Sequence, residues 1–144
     1  YLRGDFTLWD AEPQYQFEKV APGIYQANVK FSTPGKVYEF KIADADFSEG
    51  YNCGYSEAAP AGQSLTLGQA SLADCNTIYN YFSFTPAAKG RYVVSIDYRN
   101  YDEPKVTITK KWELSEVGWV EWNETQQITN ILTRSKAKSM CYLL

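Results

Sequence analysis

The stretch Ile24-Tyr25-Gln26-Ala27-Asn28-Val29-Lys30-Phe31 places Tyr25, Ala27, Val29 and Phe31 on one side of an extended chain and Gln26, Asn28 and Lys30 on the other. Alternation with period two marks a half-buried strand, because successive side chains of a strand point to opposite faces. The pattern recurs. In residues 37–43, Tyr38, Phe40 and Ile42 share a face against Glu39 and Lys41. Further on, Tyr92, Val94, Ile96 and Tyr98 alternate with Arg91, Ser95 and Asp97, and Val106 and Ile108 with Thr107 and Thr109. Residues 2–6, 15–20, 65–67 and 78–85 complete a set of about eight short strands. Ala21-Pro22-Gly23, Thr33-Pro34-Gly35 and the segments 86–90 and 101–104 supply the turns between them. Short strands separated by Pro/Gly turns specify an all-β sandwich or small barrel rather than a helical or parallel α/β fold.

The chain has 144 residues, enough for one domain with its own core. Aromatic residues make up 16%, with 12 tyrosines among them, which favours half-buried strand positions and a binding surface. The net charge of -3 argues against a nucleic-acid partner, which needs a concentrated basic face. No apolar run is long enough to span a membrane and no signal peptide is present, so the chain reads as a piece of something longer. The strand pattern predicts a β-sandwich over residues 1–112. Residues 113–144 change character and read as an extension, either partly packed or disordered. Within it Ile128, Ile131 and Leu132 fall at the spacing of a short C-terminal helix.

Of the three cysteines, Cys53 and Cys75 bracket a Gly/Ala/Ser-rich excursion where a cross-link would contribute about 3 kcal/mol by restricting the unfolded chain. The alternative is a pair of free thiols in a reducing compartment. Cys141 has no evident partner.

Catalysis finds little support. The chain contains no histidine, the commonest general base and zinc ligand. It lacks a glycine-rich phosphate loop, a nucleophile elbow and a CxxC pair. Asp44, Asp46 and Glu49 form the one acidic cluster that could serve glycoside hydrolysis or calcium, but they lack the glycine and distal Glu of an EF-hand loop. They read as shaping a turn or accepting sugar hydroxyls. The expectation is a module without catalytic residues, metal or cofactor. Arg3-Gly4-Asp5 spells an adhesion tripeptide but begins an apolar strand, and Asn123-Glu124-Thr125 fits the N-glycosylation pattern.

The informative constellation is Trp9, which follows the first strand in a polar segment, with Lys41 on the polar face of its strand and Phe47 in the turn beyond. Aromatic rings stack on the C–H faces of sugars while charged and amide groups bond the hydroxyls, so the trio suits a sugar chain. Taken alone, the residues equally allow Trp9 and Phe47 to plug an open end of the sandwich.

Leu2-Arg3-Gly4-Asp5-Phe6-Thr7-Leu8-Trp9-Asp10, Gly23-Ile24-Tyr25-Gln26-Ala27 and Tyr38-Glu39-Phe40-Lys41-Ile42-Ala43 resemble starch-binding carbohydrate-binding modules. These are the immunoglobulin-like sandwiches attached to α-amylases, pullulanases and glucoamylases. Tyr81-Phe82-Ser83-Phe84-Thr85-Pro86 with Gly90-Arg91-Tyr92 extends the resemblance, which covers roughly residues 1–111. It implies an antiparallel immunoglobulin-like sandwich. It further implies that Trp9 and Phe47 stack on adjacent glucose units of an α-1,4-glucan and that Lys41 bonds their hydroxyls. Asp46 and Asn52 are the polar groups placed to add contacts. The implied ligands are starch, glycogen, maltooligosaccharides or cyclodextrins. The implied setting is a secreted monomeric module tethered to a catalytic domain. Phe47 stands where relatives often carry Trp, Leu8 where they carry Asn or Asp, and the excursion from Tyr51 to Gly68 is longer than a minimal module needs. The competing reading is a structural spacer packed beside a glycoside hydrolase, with Trp112, Trp119 and Trp122 as an interdomain face, a second sugar platform or ordinary core.

Overall fold

The computed structural model describes residues 1–111, and Tyr1–Lys111 forms one compact unit. The expected C-terminal extension and helix, the late tryptophans and Cys141 lie outside the described residues. The decisive alternation resolves into a long antiparallel pair. Strand β3 (Ile24–Phe31) runs along β8 (Gly90–Asp97) with Ala27 opposite Val94 and Val29 opposite Tyr92, so their apolar sides coincide. Strand β9 (Lys105–Lys111) continues this layer on the far side of β8, matching Ile108 to Val94 and Val106 to Ile96. All seven of these residues are buried. The exposed strand β2 (Glu18–Ala21) closes one edge on β3, and β6 (Ser71–Asp74) the other on β9.

The second layer is built on β4 (Tyr38–Ala43). Strand β1 (Leu2–Gly4) pairs with one edge of β4; β7 (Phe82–Phe84) and β5 (Asn52–Tyr55) divide the other edge. A β5–β6 pairing carries the hydrogen-bonded ladder from this layer to the first, and every strand pairing is antiparallel. Phe31 locks the layers together: its ring lies 4.4 Å from Tyr38, 5.8 Å from Phe84 and 5.4 Å from Tyr92. Such aromatic contacts add to the burial that drives folding. The architecture is the expected all-β sandwich.

The described residues hold nine strands, and the differences from expectation have local causes. The first strand stops at Gly4 and turns into a 3-10 turn (Asp5–Thr7), held by the Thr7 hydroxyl donating to the Gly4 carbonyl at 3.0 Å. A Cβ at position 4 would lie 2.3 Å from the Glu39 carbonyl oxygen, so only glycine fits this close approach. Residues 65–67 form no strand, although Leu65 is buried and its N–H donates to the Ser83 carbonyl at 2.8 Å. Strands β5 and β6 lack clear alternation. Cys53 on β5 and Cys75 just after β6 are joined in a disulfide across 22 residues of sequence.

Replacing both Cys53 and Cys75 by Ala should lower the unfolding free energy by about 3 kcal/mol, the chain-entropy value for a loop of this size. A urea midpoint equal to wild type would show that the cross-link leaves the unfolded chain unrestricted.

Candidate functional site

Arg3 and Lys41 are direct cross-strand partners on β1 and β4. Their neighbours Leu2, Phe40 and Ile42 face the core, so both cations project from the outer face of the layer. Neither reaches open solvent: Arg3 exposes 7% and Lys41 6% of its surface. Three loops fold over them, and the cations bind the loop carbonyls. Arg3 donates from Nε to the Trp9 carbonyl at 2.7 Å and from Nη1 to the carbonyls of Asp44 and Ala45, both at 2.8 Å. Its guanidinium carbon also lies 3.7 Å from the centroid of the Phe47 ring, a cation–π stack. Lys41 donates from Nζ to the carbonyls of Thr77 at 2.9 Å and Asn80 at 2.5 Å.

These contacts hold unusual backbone. Leu8 (φ +52°), Trp9 (φ +65°) and Phe47 (φ +53°) are the described non-glycine residues with positive φ. The left-handed region costs a bulky residue roughly 1–3 kcal/mol and persists only where its surroundings over-determine it. The Trp9 N–H donates to the Gly4 carbonyl at 2.8 Å while its own carbonyl is taken by Arg3, so Trp9 is fixed at both ends of its backbone. Around Phe47, the Asp44 carboxylate accepts the N–H groups of Ser48 at 2.8 Å and Asp46 at 3.3 Å. These bonds, led by Ser48, hold the Asp44 carboxyl below its usual pKa range.

The structure brings Trp9 together with Tyr81, a residue absent from the expected set. Their rings meet edge to face, with centroids 6.1 Å apart and planes at 64°, and both are half-buried. A signal for Tyr81 existed in the sequence. It is out of phase with the core residues Phe82 and Phe84 and therefore falls on the outer face, where the β4–β7 register carries it toward Lys41. Arg3, the organiser of the site, stands in the sequence only within the adhesion tripeptide and the opening motif, with no site role of its own. Phe47 lies 38% exposed with the Arg3 guanidinium on its ring. Lys41 occupies the outer face as expected, with its ammonium engaged by the turn of residues 77–80. Asp46 is exposed. Asn52 is buried on β5, with its N–H on the Cys75 carbonyl at 3.2 Å and its side-chain oxygen without a hydrogen-bond partner. Among the described residues no group of acidic or cysteine side chains is arranged to hold a metal ion.

Elsewhere, a cavity of about 550 Å³ is lined by Tyr1, Tyr25, Tyr51, Tyr98 and Tyr101 with Phe17; Asp44 also lines it, whereas Arg3, Trp9, Lys41, Phe47 and Tyr81 do not. Burial pushes the Tyr98 phenol up to about 12, and its hydroxyl sits 3.3 Å from the sulfur of Cys53.

Burial lowers the Lys41 pKa to about 8, while the charge of Asp74 opposes the shift. The folded protein then binds fewer protons than the unfolded chain between about pH 8 and 10.5, so stability rises with pH across that window. Lys41→Met should remove this rise, seen as a flatter dependence of the urea midpoint between pH 8 and 10. An unchanged slope in the variant would show that Lys41 is not the group responsible.

No protein-family model matches the chain, and no curated protein matches it. The fold matches a solved structure described as "Ligand induced structure of AmyP-SBD", a starch-binding domain. The identity is 22% and the TM-score 0.56, over 76% of this chain and 70% of that one. The chain shares the fold of that domain.

Proposed function

We propose that this protein is a non-catalytic module that binds starch or related α-1,4-glucans through a platform made by Trp9 and Tyr81. The observation that carries this reading is the pair itself: two half-buried aromatic rings in edge contact on the outer face, with Trp9 held in a left-handed backbone conformation by Arg3. Two rings set at 64° present an angled surface, which suits the curved face of an α-glucan better than the flat face of an extended chain. The C–H faces of the sugar pack on such rings, and the phenol of Tyr81 and indole N–H of Trp9 supply polar contacts. Phe47 stacks on the same Arg3 that binds the Trp9 carbonyl and serves as the flank of the site, and Asp46 in its turn is an exposed acceptor for sugar hydroxyls. Lys41 acts by fixing the turn that leads to Tyr81.

Attachment to an amylolytic enzyme gives the binding its use, because a tethered module raises the local concentration of substrate for its catalytic partner. The disulfide supports a secreted setting, where such bonds persist. A single site of this size should bind weakly, in roughly the micromolar to millimolar range, about -4 to -8 kcal/mol.

Calorimetric titration with a cyclic maltooligosaccharide tests the reading. Trp9→Ala and Tyr81→Ala should each weaken binding about tenfold or more, and Phe47→Ala about threefold, consistent with aromatic contacts of roughly 0.5–1.5 kcal/mol plus their buried area. Full affinity in both Trp9→Ala and Tyr81→Ala would overturn the platform, and no binding by the wild type would overturn the function.

A further inference from the structure

Residues 77–80 form a turn that is anchored on several sides yet displays two large apolar side chains to solvent. Besides the two bonds from Lys41, the Asn80 N–H donates to the Thr77 hydroxyl at 3.2 Å and the Asn80 side-chain amide to the Tyr55 carbonyl at 3.2 Å. Gly54 permits this docking, since a Cβ there would lie 2.0 Å from the Asn80 carbonyl oxygen. The disulfide at Cys75 fixes the chain two residues before the turn. At its tip, however, Ile78 is 75% and Tyr79 85% exposed. Single exposed hydrophobic residues are ordinary, but two adjacent ones on a turn this firmly held form a patch. The turn joins the patch to the platform, because Tyr81 follows Tyr79 by two residues, at most about 7 Å along the chain.

We infer that the Ile78–Tyr79 tip is a second contact zone of the glucan site, one that engages the surface of insoluble α-glucan rather than a single soluble chain. This inference rests on the reading of Trp9 and Tyr81 as the glucan platform. The occupant follows from chemistry on the tip. Residues 75–88 contain no Asp, Glu, Lys or Arg, so the zone suits a neutral, hydroxylated partner and offers nothing to a phosphate backbone or a charged peptide. Its position sets the physical state of the ligand. One chain curving over the angled Trp9–Tyr81 pair is satisfied there, whereas a rigid tip standing beyond that pair meets sugar only when further chains lie alongside. Rigidity matters because an ordered tip loses little conformational freedom on contact, and weak contacts then add to affinity.

The test compares wild type with Ile78→Ser/Tyr79→Ser and with Tyr79→Ser alone, using adsorption to raw starch granules and calorimetric titration with β-cyclodextrin. Both substitutions are at exposed positions, and thermal unfolding checks that each variant is folded. The double variant should adsorb to granules at least fivefold more weakly, the single variant by an intermediate factor, and both should bind β-cyclodextrin within twofold of wild type. Unchanged granule adsorption would overturn the inference. So would a parallel loss on both ligands, which would make the tip part of the single-chain site, and so would a wild type that binds β-cyclodextrin but not granules. A wild type that binds neither ligand, or full binding of both by Trp9→Ala and Tyr81→Ala, would instead remove the platform on which the inference rests.

Discussion

Two neighbouring cations, Arg3 and Lys41, lie buried on the outer face of one sheet. Removing a charge from water is costly unless hydrogen bonds replace the lost hydration. Here backbone carbonyls supply them: those of Trp9, Asp44 and Ala45 to Arg3, and those of Thr77 and Asn80 to Lys41. The need is mutual, since loop carbonyls covering a sheet would themselves be orphaned without donors. The two side chains therefore order three loops that share no secondary structure. Each loop delivers an aromatic residue to the same face: Trp9, Phe47 and, through the turn at 77–80, Tyr81.

This arrangement explains why strain gathers where it does. Leu8, Trp9 and Phe47 adopt backbone angles that glycine would take without cost. A glycine at position 9 or 47 would relieve the backbone and delete the ring. Glycine is kept where a backbone must pass close to another, at Gly4 and Gly54. The division is consistent with the loops being shaped to display rings, with the cost met by the stable sandwich beneath them.

The frame was readable because period-two alternation is a direct consequence of strand geometry. β3, β4, β8 and β9 each turn an apolar face to the core, and their boundaries fall close to the alternating stretches. β5 and β6 were illegible for the opposite reason. Asn-Cys-Gly-Tyr and Ser-Leu-Ala-Asp carry no alternation and owe their pairing to long-range contacts and a disulfide. At the site, the place of Trp9 in a polar segment after the first strand and the phase of Lys41 relative to the core put them on view. Lys41 reads as an exposed polar residue, and the structure sets its ammonium against carbonyls from residues 36 and 39 positions away in the chain. No local pattern encodes such a partner. Tyr81 was legible in phase but hidden among twelve tyrosines, and Arg3 was hidden by the apolar strand around it.

The central claim is that loops pinned by Arg3 and Lys41 create a glucan platform at Trp9 and Tyr81. Chemical-shift mapping of the nitrogen-labelled protein during titration with a cyclic maltooligosaccharide tests it most directly. The account predicts that the Trp9 indole N–H and the amides of Trp9 and Tyr81 shift together along one binding curve. Shifts confined to the tyrosine cavity around Tyr25 and Tyr98, with Trp9 and Tyr81 unmoved, would contradict it.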